Sequence, residues 1–491
     1  MKSIFNIHDE RRQGEVLLKD QPKANGEPKT FDRKFYIESY GCAMNLNDSE
    51  IVASIMEKEG FGLTDKLEEA DLVFVNTCSI RAKAEDTVRK RLEKYNAVKR
   101  EENPSMKVGV LGCMAERLKK KLLEEEHIVD LVAGPDAYKD LPNLVREIDD
   151  GRDAINVILS KDETYGDISP VRLQSDGVTA FVSITRGCDN MCTFCVVPFT
   201  RGRERSRAPE SIVREVNELA AQGYKEVTLL GQNVDSYLWY GGGMKKDFKK
   251  ATPEQQANAV YFSGLLEMVA LAQPKMRIRF STSNPQDMTM DVVDTMAKYE
   301  NICKYIHLPV QSGSNRILKA MNRQHTREEY FELIDNIRKR IPDCAISFDM
   351  MTGFSGETEE DHQQTLDLMD KVKYDFGYMF AYSKRPGTLA ARKLEDDVPE
   401  EVKKRRLSEI IELQQKYSKY NIEKYLGKTV EVLIEKESKK SDQEWSGRNS
   451  QNVTVVFPKE NYKPGDYVMV KATDCTTATL IGEAVGYSKN Q

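Results

Sequence analysis

The chain has 491 residues, of which 40% are hydrophobic and 31% are charged, and its formal net charge is -6. This length predicts roughly two to four domains, and the acidic balance argues against a chain that is basic overall, although it allows a local basic surface. No apolar run is long enough to span a membrane, and no signal-peptide pattern begins the sequence, so we expect a cytoplasmic protein that does not bind a membrane.

Residues 1–32 are polar, and we expect them to form a flexible leader. Residues 33–150 alternate strand-like and helical patterns, which predicts a parallel sheet flanked by helices. The predicted strands of this N-terminal α/β domain are 34–40, 71–77, 106–112 and 127–133. A polar linker is predicted over 151–176.

Strand–helix alternation resumes over residues 177–425 and ends in a charged helix that contains Lys-Lys-Arg-Arg at 403–406. Six βα units favour a partial or complete βα barrel. The segment 237–262 interrupts this pattern with three consecutive glycines and a polar body, which predicts a long functional loop. Residues 426–491 are short β-rich runs broken by Gly and Pro, and they predict a small all-β barrel. The predicted fold class is therefore α/β with a terminal β-barrel.

The nine cysteines divide into two groups of three and three single residues. A reducing cytosol and an odd count argue against a disulfide framework and favour metal ligation. Cys303, Cys344 and Cys475 have no neighbouring cysteines, and we expect them to be structural.

Cys188, Cys192 and Cys195 form a C-x3-C-x2-C pattern directly after the first predicted barrel strand. Three thiolates on one loop can hold three irons of a 4Fe–4S cluster, and the open fourth iron can then bind the amino and carboxylate groups of S-adenosylmethionine (SAM). A zinc site usually requires four ligands, and no second pair follows this loop. Phe194 lies beside the last cysteine and is a candidate contact for the adenine ring.

Cys42, Cys78 and Cys113 each follow a predicted strand of the N-terminal sheet. Because the carboxyl ends of parallel strands share one edge, the three thiols are expected to converge there. This placement predicts a second three-cysteine cluster. The alternative is three unrelated buried thiols, which free cysteines commonly are.

The order of these three parts resembles the methylthiotransferase family of radical SAM enzymes, over about residues 34–487. The matching segments are YGCAMNLNDSE, VNTCSIR, GVLGCMAER, ITRGCDNMCTFCVVPFTRGRERSR, LLGQNVDSY, IHLPVQSGSNRIL, FDMMTGFSGET and SKRPGT. The terminal barrel resembles a TRAM domain, an RNA-binding module. The insertion 237–262 and the FSGE string depart from the family pattern, but neither includes a cysteine.

The resemblance implies a reaction and its partners. One 4Fe–4S cluster reduces SAM to a 5′-deoxyadenosyl radical, this radical removes hydrogen from carbon 2 of an adenine, and a second 4Fe–4S cluster supplies sulfur that another SAM methylates. The strings CDNMCTFCVVPFTRGRERSR and SGRNSQNVTVVF are most similar to the branch that modifies isopentenylated adenosine in the tRNA anticodon loop, at position 37. The implied helpers are an electron donor such as flavodoxin or ferredoxin, and a sulfur donor or iron–sulfur carrier.

Three alternatives remain open. Two are sister activities, on threonylcarbamoyladenosine in tRNA or on an aspartate of a ribosomal protein. The tail carries nine basic and nine acidic residues, whereas a binder of a basic protein would be expected to carry an acidic tail. The third is a non-catalytic iron–sulfur RNA-binding redox sensor.

Several polar residues are candidates for ligand contacts. Residues at carboxyl ends of predicted strands, together with the first arginine after the cysteine loop, are candidates for SAM: Gln232, Ser281, Gln311 and Arg201. Asp349, on a barrel strand, is a candidate for orienting SAM or substrate. Arginines that suit phosphate, and polar residues of the terminal barrel, are candidates for RNA: Arg203, Arg205, Arg207, Arg448 and Asn452. A solvated charged loop is the alternative for the arginines.

Overall fold

A computed structural model describes residues 31–79, 82–162, 165–173 and 177–490. The predicted leader lies outside these ranges apart from residues 31 and 32. Within the described ranges, no helix combines the length and the apolar character that a membrane crossing requires.

The N-terminal part is a six-stranded sheet in which every neighbouring pair is parallel, with strand order β2-β1-β3-β4-β5-β6. Its strands are β1 (Arg33–Tyr40), β2 (Phe61–Leu63), β3 (Leu72–Thr77), β4 (Lys107–Gly112), β5 (Leu131–Ala133) and β6 (Ala154–Asn156). Its helices are α1 (Ala43–Lys58), α2 (Ala82–Glu101), α3 (Cys113–Leu118), α4 (Lys120–Glu125) and α5 (Leu141–Asp149). From β1 the chain adds β2 on one side and the remaining strands on the other, so the strand order switches direction between β1 and β3. Doubly wound sheets bind ligands at such a switch point.

Strand β3 shows why the sheet is buried on both faces. Leu72 and Phe74 pack into one hydrophobic cluster, whereas Val73 and Val75 pack into another on the opposite face. The sequence lacks polar alternation here because helices cover both sides.

The strands that the sequence analysis missed lie at the edges of this sheet. β2 and β6 have three residues each; β2, unlike β5, does not lie in a longer apolar run, and β6 lies inside the predicted linker. The predicted strand 127–133 shortens to β5. Lys119, at φ 53°, separates α3 from α4.

The central part is a partial barrel of six parallel strands. β7, β10 and β13 form one three-stranded sheet, and β14, β15 and β16 form another. A parallel bridge between Ile278 and Ile302 joins the two. The strands of this part, including short pairs outside the barrel, are β7 (Thr179–Ser183), β8 (Thr185–Arg186), β9 (Arg205–Ser206), β10 (Glu226–Leu230), β11 (Leu238–Trp239), β12 (Val260–Tyr261), β13 (Arg277–Ser281), β14 (Tyr305–His307), β15 (Ala345–Thr352) and β16 (Phe376–Ala381). All six predicted barrel strands are present.

Helices cover the outside of the barrel and bury one large core against it. The helices of the central part are α6 (Val197–Thr200), α7 (Pro209–Ala221), α8 (Pro253–Ala257), α9 (Phe262–Ala272), α10 (Met290–Lys298), α11 (Asn315–Ala320), α12 (Arg327–Arg340), α13 (Glu359–Val372), α14 (Leu389–Lys393) and α15 (Glu400–Glu423). The helices that contribute to this core are α7, α9, α10, α12, α13 and α15. The charged helix predicted before the tail is α15. Lys403 and Arg406 of its basic run are buried, with Lys403 bonded to Asp396 and Arg406 to Glu357.

The C-terminal part is a closed five-stranded barrel in the order β17-β18-β19-β21-β20. Its strands are β17 (Thr429–Glu437), β18 (Glu444–Arg448), β19 (Thr454–Pro458), β20 (Tyr467–Cys475) and β21 (Thr479–Tyr487). The predicted all-β tail is therefore present.

The loop between β18 and β19 closes the amino-terminal end of the central barrel. Along β13, Ile278 and Phe280 enter the outer core, so the alternating Arg277 and Arg279 lie on the other face. Arg277 donates to the carbonyl of Arg448, and Arg279 donates to the carbonyls of Asn449 and Ser450. The terminal barrel is thus attached opposite the carboxyl ends of the strands.

Candidate functional site

Cys42, Cys78 and Cys113 meet at the carboxyl edge of the N-terminal sheet. Cys42 follows β1, Cys78 follows β3 and Cys113 begins α3 after β4. Gly41, at φ +117°, permits this approach, because a Cβ there would collide with the Cβ of Cys78. Gly112, at φ +87°, has the same function toward Asn76 and Thr77. Three separate strands therefore deliver three thiols to one place.

The electrostatics of this edge differ between its thiols. A hydrogen bond from Cys78 lowers the pKa of the Cys42 thiol below its usual value, and the positive charge of Arg201 acts in the same direction. Burial raises the pKa of the Cys113 thiol, while Arg201 again opposes the rise. A buried arginine thus favours the thiolate form at both cysteines.

Cys188, Cys192 and Cys195 lie on the loop between β8 and α6. Gly187, at φ +77°, fits against the Arg203 carbonyl where a Cβ would clash, and the Gly187 amide donates to the Gln232 side chain at 2.6 Å. Thr193 fixes the middle of the loop, since its amide donates to Met321 and its carbonyl accepts from Ala390. The loop is therefore held from both sides.

An arginine that sequence reasoning missed reaches this loop. The Nη1 of Arg323 lies 3.6 Å from the Sγ of Cys192, and its Nη2 donates to the Asn284 side chain and the Pro309 carbonyl. Burial raises the pKa of Cys195 to about 12, and the Arg323 charge acts against that rise. Arg323 thus places a positive charge beside the central cysteines.

The two cysteine sets lie on opposite sides of one buried contact between the N-terminal and central parts. Helix α3, which begins at Cys113, packs on α6, which follows Cys195. Arg201 at the end of α6 is 3% exposed and donates to Asn45 at 2.9 Å and Asp48 at 2.8 Å. Arg186 forms a second ion pair with Asp48 at 2.8 Å. The contact is therefore built on a buried carboxylate between two arginines.

Both cysteine sets have the donor chemistry of three-thiolate clusters. Among the residues that the structure describes, no three Cys, His, Asp or Glu side chains converge closely enough to bind a single metal ion. A four-iron cluster takes each thiolate on a different iron, so its ligands stand apart around the cluster. The neighbouring Arg201 and Arg323 offset the negative charge that such a cluster brings. The residues present fit a cluster in each set.

The arginines predicted to bind RNA lie mostly inside the protein. Arg205 is fully buried and pairs with Asp136 at 2.9 Å, and buried Arg207 pairs with Glu215. Their burial argues against direct contact with RNA, because the guanidinium groups hold the interior together instead. Arg203 is 37% exposed and bonded to Asp189 at 2.6 Å, so it alone of the three is accessible.

The candidates of the terminal barrel have a comparable internal role. Arg448 bonds to Glu435, to Asn452 at 2.9 Å and to Glu226 of β10 at 3.2 Å. Arg448 and Asn452 therefore lie where the terminal barrel joins the central one, and these contacts argue against RNA binding by that pair. The sequence shows Arg448 and Asn452 only as part of a polar segment. Their position between the two barrels depends on tertiary contacts that the sequence does not show.

The SAM candidates lie at the carboxyl ends of the barrel strands, as their positions predicted. Gln232 supports the cysteine loop, while Ser281 ends β13. Gln311 has φ 75°, and its backbone bonds to Asp349 and Met351 of β15. The ring of Phe194, the adenine candidate, packs edge-on against Phe354 with ring centroids 6.4 Å apart. The side chain of the remaining candidate, Arg201, forms an ion pair with Asp48.

The three single cysteines have no cysteine partner in either set. Cys303 and Cys344 are buried, and Cys475 is partly buried against the core of the terminal barrel. Asp349, the candidate for orienting SAM or substrate, lies on β15, and its Oδ1 is 3.5 Å from the Nε2 of His307.

Three family profiles match successive parts of the chain. The Radical SAM superfamily matches residues 182–369, the Uncharacterized protein family UPF0004 matches residues 34–134 and the TRAM domain matches residues 423–485. The first spans the central cysteine loop and the second spans all three N-terminal cysteines.

Full-length relatives share one name, tRNA-2-methylthio-N(6)-dimethylallyladenosine synthase. The relative from Christiangramia forsetii is 74% identical over 484 residues, which cover 99% of both chains. Those from Karelsulcia muelleri and Parabacteroides distasonis are 53% and 52% identical; each match covers 92% of this chain, and 99% and 96% of the relatives.

A solved structure shares the fold. The radical S-adenosylmethionine methyltransferase TsrM from Kitasatospora setae, with cobalamin and a [4Fe-4S] cluster bound, superposes with a TM-score of 0.53. The match covers 74% of this chain and 77% of that one at 16% identity, so the likeness concerns the fold alone.

Proposed function

Because the chain belongs to the family of tRNA-2-methylthio-N(6)-dimethylallyladenosine synthases, we propose that it transfers a methylthio group to carbon 2 of N6-isopentenyladenosine in the anticodon loop of tRNA. The observation that carries this proposal is the meeting of two three-cysteine sets at one buried contact. A reaction that makes a radical at a base and then adds sulfur to it requires both centres within reach of one substrate atom.

The chain's own residues would hold and orient the two centres. Cys188, Cys192 and Cys195 would ligate a cluster that supplies radical chemistry with SAM, and the other three cysteines would ligate one that supplies sulfur. Gln232 fixes the central loop through the Gly187 amide. Arg201 joins that loop to the N-terminal part through Asp48, so the two centres keep a fixed separation.

We propose that Ser281 and Gln311 contact SAM, together with the exposed part of Gln232. The support is their position at the carboxyl ends of the barrel strands, the face that carries active sites in βα barrels. Phe194 lies beside the last cysteine and would border the adenine pocket. Arg201 has a positioning role instead, since its side chain is bonded inside the protein.

We also propose the accessory partners. A one-electron donor such as flavodoxin or ferredoxin would reduce the central cluster, and a sulfur donor or iron–sulfur carrier would restore the sulfur that each turnover removes. A tRNA substrate supports a cytoplasmic location. Docking of the terminal barrel away from the cysteines suits an elongated RNA that contacts two parts of the protein.

The decisive test is product analysis. The full chain, purified and reconstituted with iron and sulfide without oxygen, would be given SAM, dithionite and isopentenylated tRNA, and the digested nucleosides would be identified by mass spectrometry. The expected product is the 2-methylthio derivative. A matched reaction with threonylcarbamoylated tRNA and one with ribosomal protein should give none. Product from either of those alone, or no SAM cleavage in any mixture, would overturn the proposal.

A further inference from the structure

The segment 237–262 is an ordered platform rather than the loop that its glycines suggested. β11 and β12 pair antiparallel at its base, and a 3-10 helix, Lys245–Lys250, and α8 complete it. The Phe248 ring lies 5.2 Å from that of Tyr240 and 6.5 Å from that of Tyr261, measured between centroids. Aromatic packing and the Thr252 capping box explain why a polar segment is ordered here.

This platform displays basic side chains. The 3-10 helix reads Lys-Lys-Asp-Phe-Lys-Lys and buries none of its residues. Lys246, Lys249 and Lys250 are exposed, with 81% of the Lys250 side chain accessible. Asp247 is the one acidic residue in this run. The segment 237–262 holds four basic and two acidic residues, in a chain whose net charge is -6.

The platform is attached to the chain that leaves the central cysteine loop. The Lys245 amide donates to the Glu204 carbonyl at 3.0 Å, and Met244 forms an antiparallel bridge with Arg205. The neighbouring Arg203 is bonded to Asp189, the residue after Cys188. The exposed lysines therefore lie at the rim of the candidate site, on the same side as the cysteines.

We propose that this platform binds the phosphate backbone of the substrate tRNA, through Lys246, Lys249, Lys250 and the accessible Arg203. The proposal rests on the tRNA methylthiotransferase function given above and names the surface that positions the substrate. Lysine acts as a point charge toward phosphate and needs no fixed geometry. Such contacts bind the RNA backbone without regard to sequence, while the neighbouring candidate site would recognise the one base that is modified. Because the platform is packed, little ordering is required when the RNA binds.

The test compares two charge-matched triple variants of the reconstituted full chain. One is Lys246→Ala/Lys249→Ala/Lys250→Ala. The control is Lys94→Ala/Lys120→Ala/Lys121→Ala, which removes three exposed lysines from helices α2 and α4 of the N-terminal part. Binding of isopentenylated tRNA would be titrated between about 50 and 200 mM salt, and the slope of log K against log[salt] determined.

In the platform variant the magnitude of that slope should fall by roughly two to three, because each phosphate that a lysine neutralises adds about 0.7–0.9 to it, while the control keeps the wild-type slope. The KM of the platform variant for tRNA should rise with kcat and SAM cleavage unchanged. Equal slopes in both variants would overturn the proposal.

A second outcome would also overturn it. An unchanged slope, with a turnover defect that appears with reduced flavodoxin and not with dithionite, would mean that the platform serves an acidic protein. Failure of the wild type to make product would instead count against the proposed function, since the binding slopes are measured without turnover.

Discussion

The two cysteine sets reach the same contact by different routes. The central three lie within a run of eight residues on one loop, whereas the N-terminal three are spread between positions 42 and 113 and come from three strands. The first set depends on local turns. The second depends on strand register, on glycines that let loops touch and on the interface that presses the sheet edge against the barrel. Damage to long-range structure should therefore remove the N-terminal site first.

Replacing Asp48 should have the largest effect on stability. In Asp48→Ala, two buried guanidinium groups, of Arg186 and Arg201, lose their shared carboxylate, and breaking a buried ion pair typically costs about 3–5 kcal/mol. The midpoint of urea unfolding should fall accordingly, and iron bound to the N-terminal cysteines should be released before that of the central loop. Asp149→Asn is the control, because its pair with Arg33 is partly exposed and is expected to contribute about 0–1 kcal/mol. Equal effects of the two substitutions would contradict this difference between the sites.

Two glycine substitutions should separate the sites. Gly41→Ala would press a methyl group against Cys78, and Gly187→Ala would press one against the Arg203 carbonyl, each at a positive φ that costs about 1–3 kcal/mol. Iron analysis should show about four irons fewer in each variant, from the N-terminal set in the first and the central set in the second. Only the second should abolish SAM cleavage.

Gly60→Ala is the matched control for that pair. Its φ is +85°, but a Cβ there meets nothing within 4 Å, so only backbone strain is added. This variant should retain the full iron content. Loss of iron from Gly60→Ala as well would indicate general unfolding rather than disruption of either site.

The pH dependence of stability should reveal Glu204, which lies between the cysteine loop and the platform. Burial raises its pKa from 4.5 to about 7, opposed by Lys245. Between these values the folded protein holds a proton that the unfolded chain has released, so the contribution of Glu204 to stability falls as pH rises from about 4.5 to about 7. Glu204→Gln should remove this fall and stabilise the protein at pH 8 by on the order of 1–2 kcal/mol. Urea titrations at pH 5 and 8 would measure the free energy of unfolding of both proteins, with the exposed Glu254→Gln as the control. The same change in stability with pH in the wild type and in Glu204→Gln would contradict this effect of Glu204.

Arg323 should produce the smallest effect, on a potential rather than on stability. Its guanidinium beside Cys192 stabilises the more negative, reduced state of a cluster held there. Arg323→Gln should therefore lower the reduction potential of the central cluster, on the order of tens of millivolts. A redox titration followed by electron paramagnetic resonance measures this directly. Arg316→Gln, on the same stretch of chain but bonded to Asp361, should leave the potential unchanged.

The sequence predicted the parts of this protein that depend on local pattern. The C-x3-C-x2-C loop, the six barrel strands and the four inner strands β1, β3, β4 and β5 of the N-terminal sheet were all predictable from spacing and alternation. The placement of Cys42, Cys78 and Cys113 followed from topology, because each comes directly after a strand of one parallel sheet. The edge strands β2 and β6 carried no such pattern, since their stability comes from the neighbours to which they pair.

Charged residues were predicted less well, because their role depends on what faces them. Arg205 and Arg448 have the composition of RNA contacts, but folding places Asp136 and Glu226 opposite them. Conversely, the sequence predicted a loop for segment 237–262. The packing of Phe248 against Tyr240 and Tyr261 shows instead that the lysines of this segment lie on a packed platform. Asp48 gave no separate signal, as its partners lie more than a hundred residues away.

The most direct test of the two-centre site is a count of iron in the anaerobically reconstituted chain. It would be made in the wild type and in two triple variants, Cys188/Cys192/Cys195→Ala and Cys42/Cys78/Cys113→Ala. We expect about eight irons per wild-type chain and about four in each variant. About four irons in the wild type, with none missing from the Cys42/Cys78/Cys113 variant, would show that the N-terminal thiols are structural and that sulfur transfer does not occur at this contact.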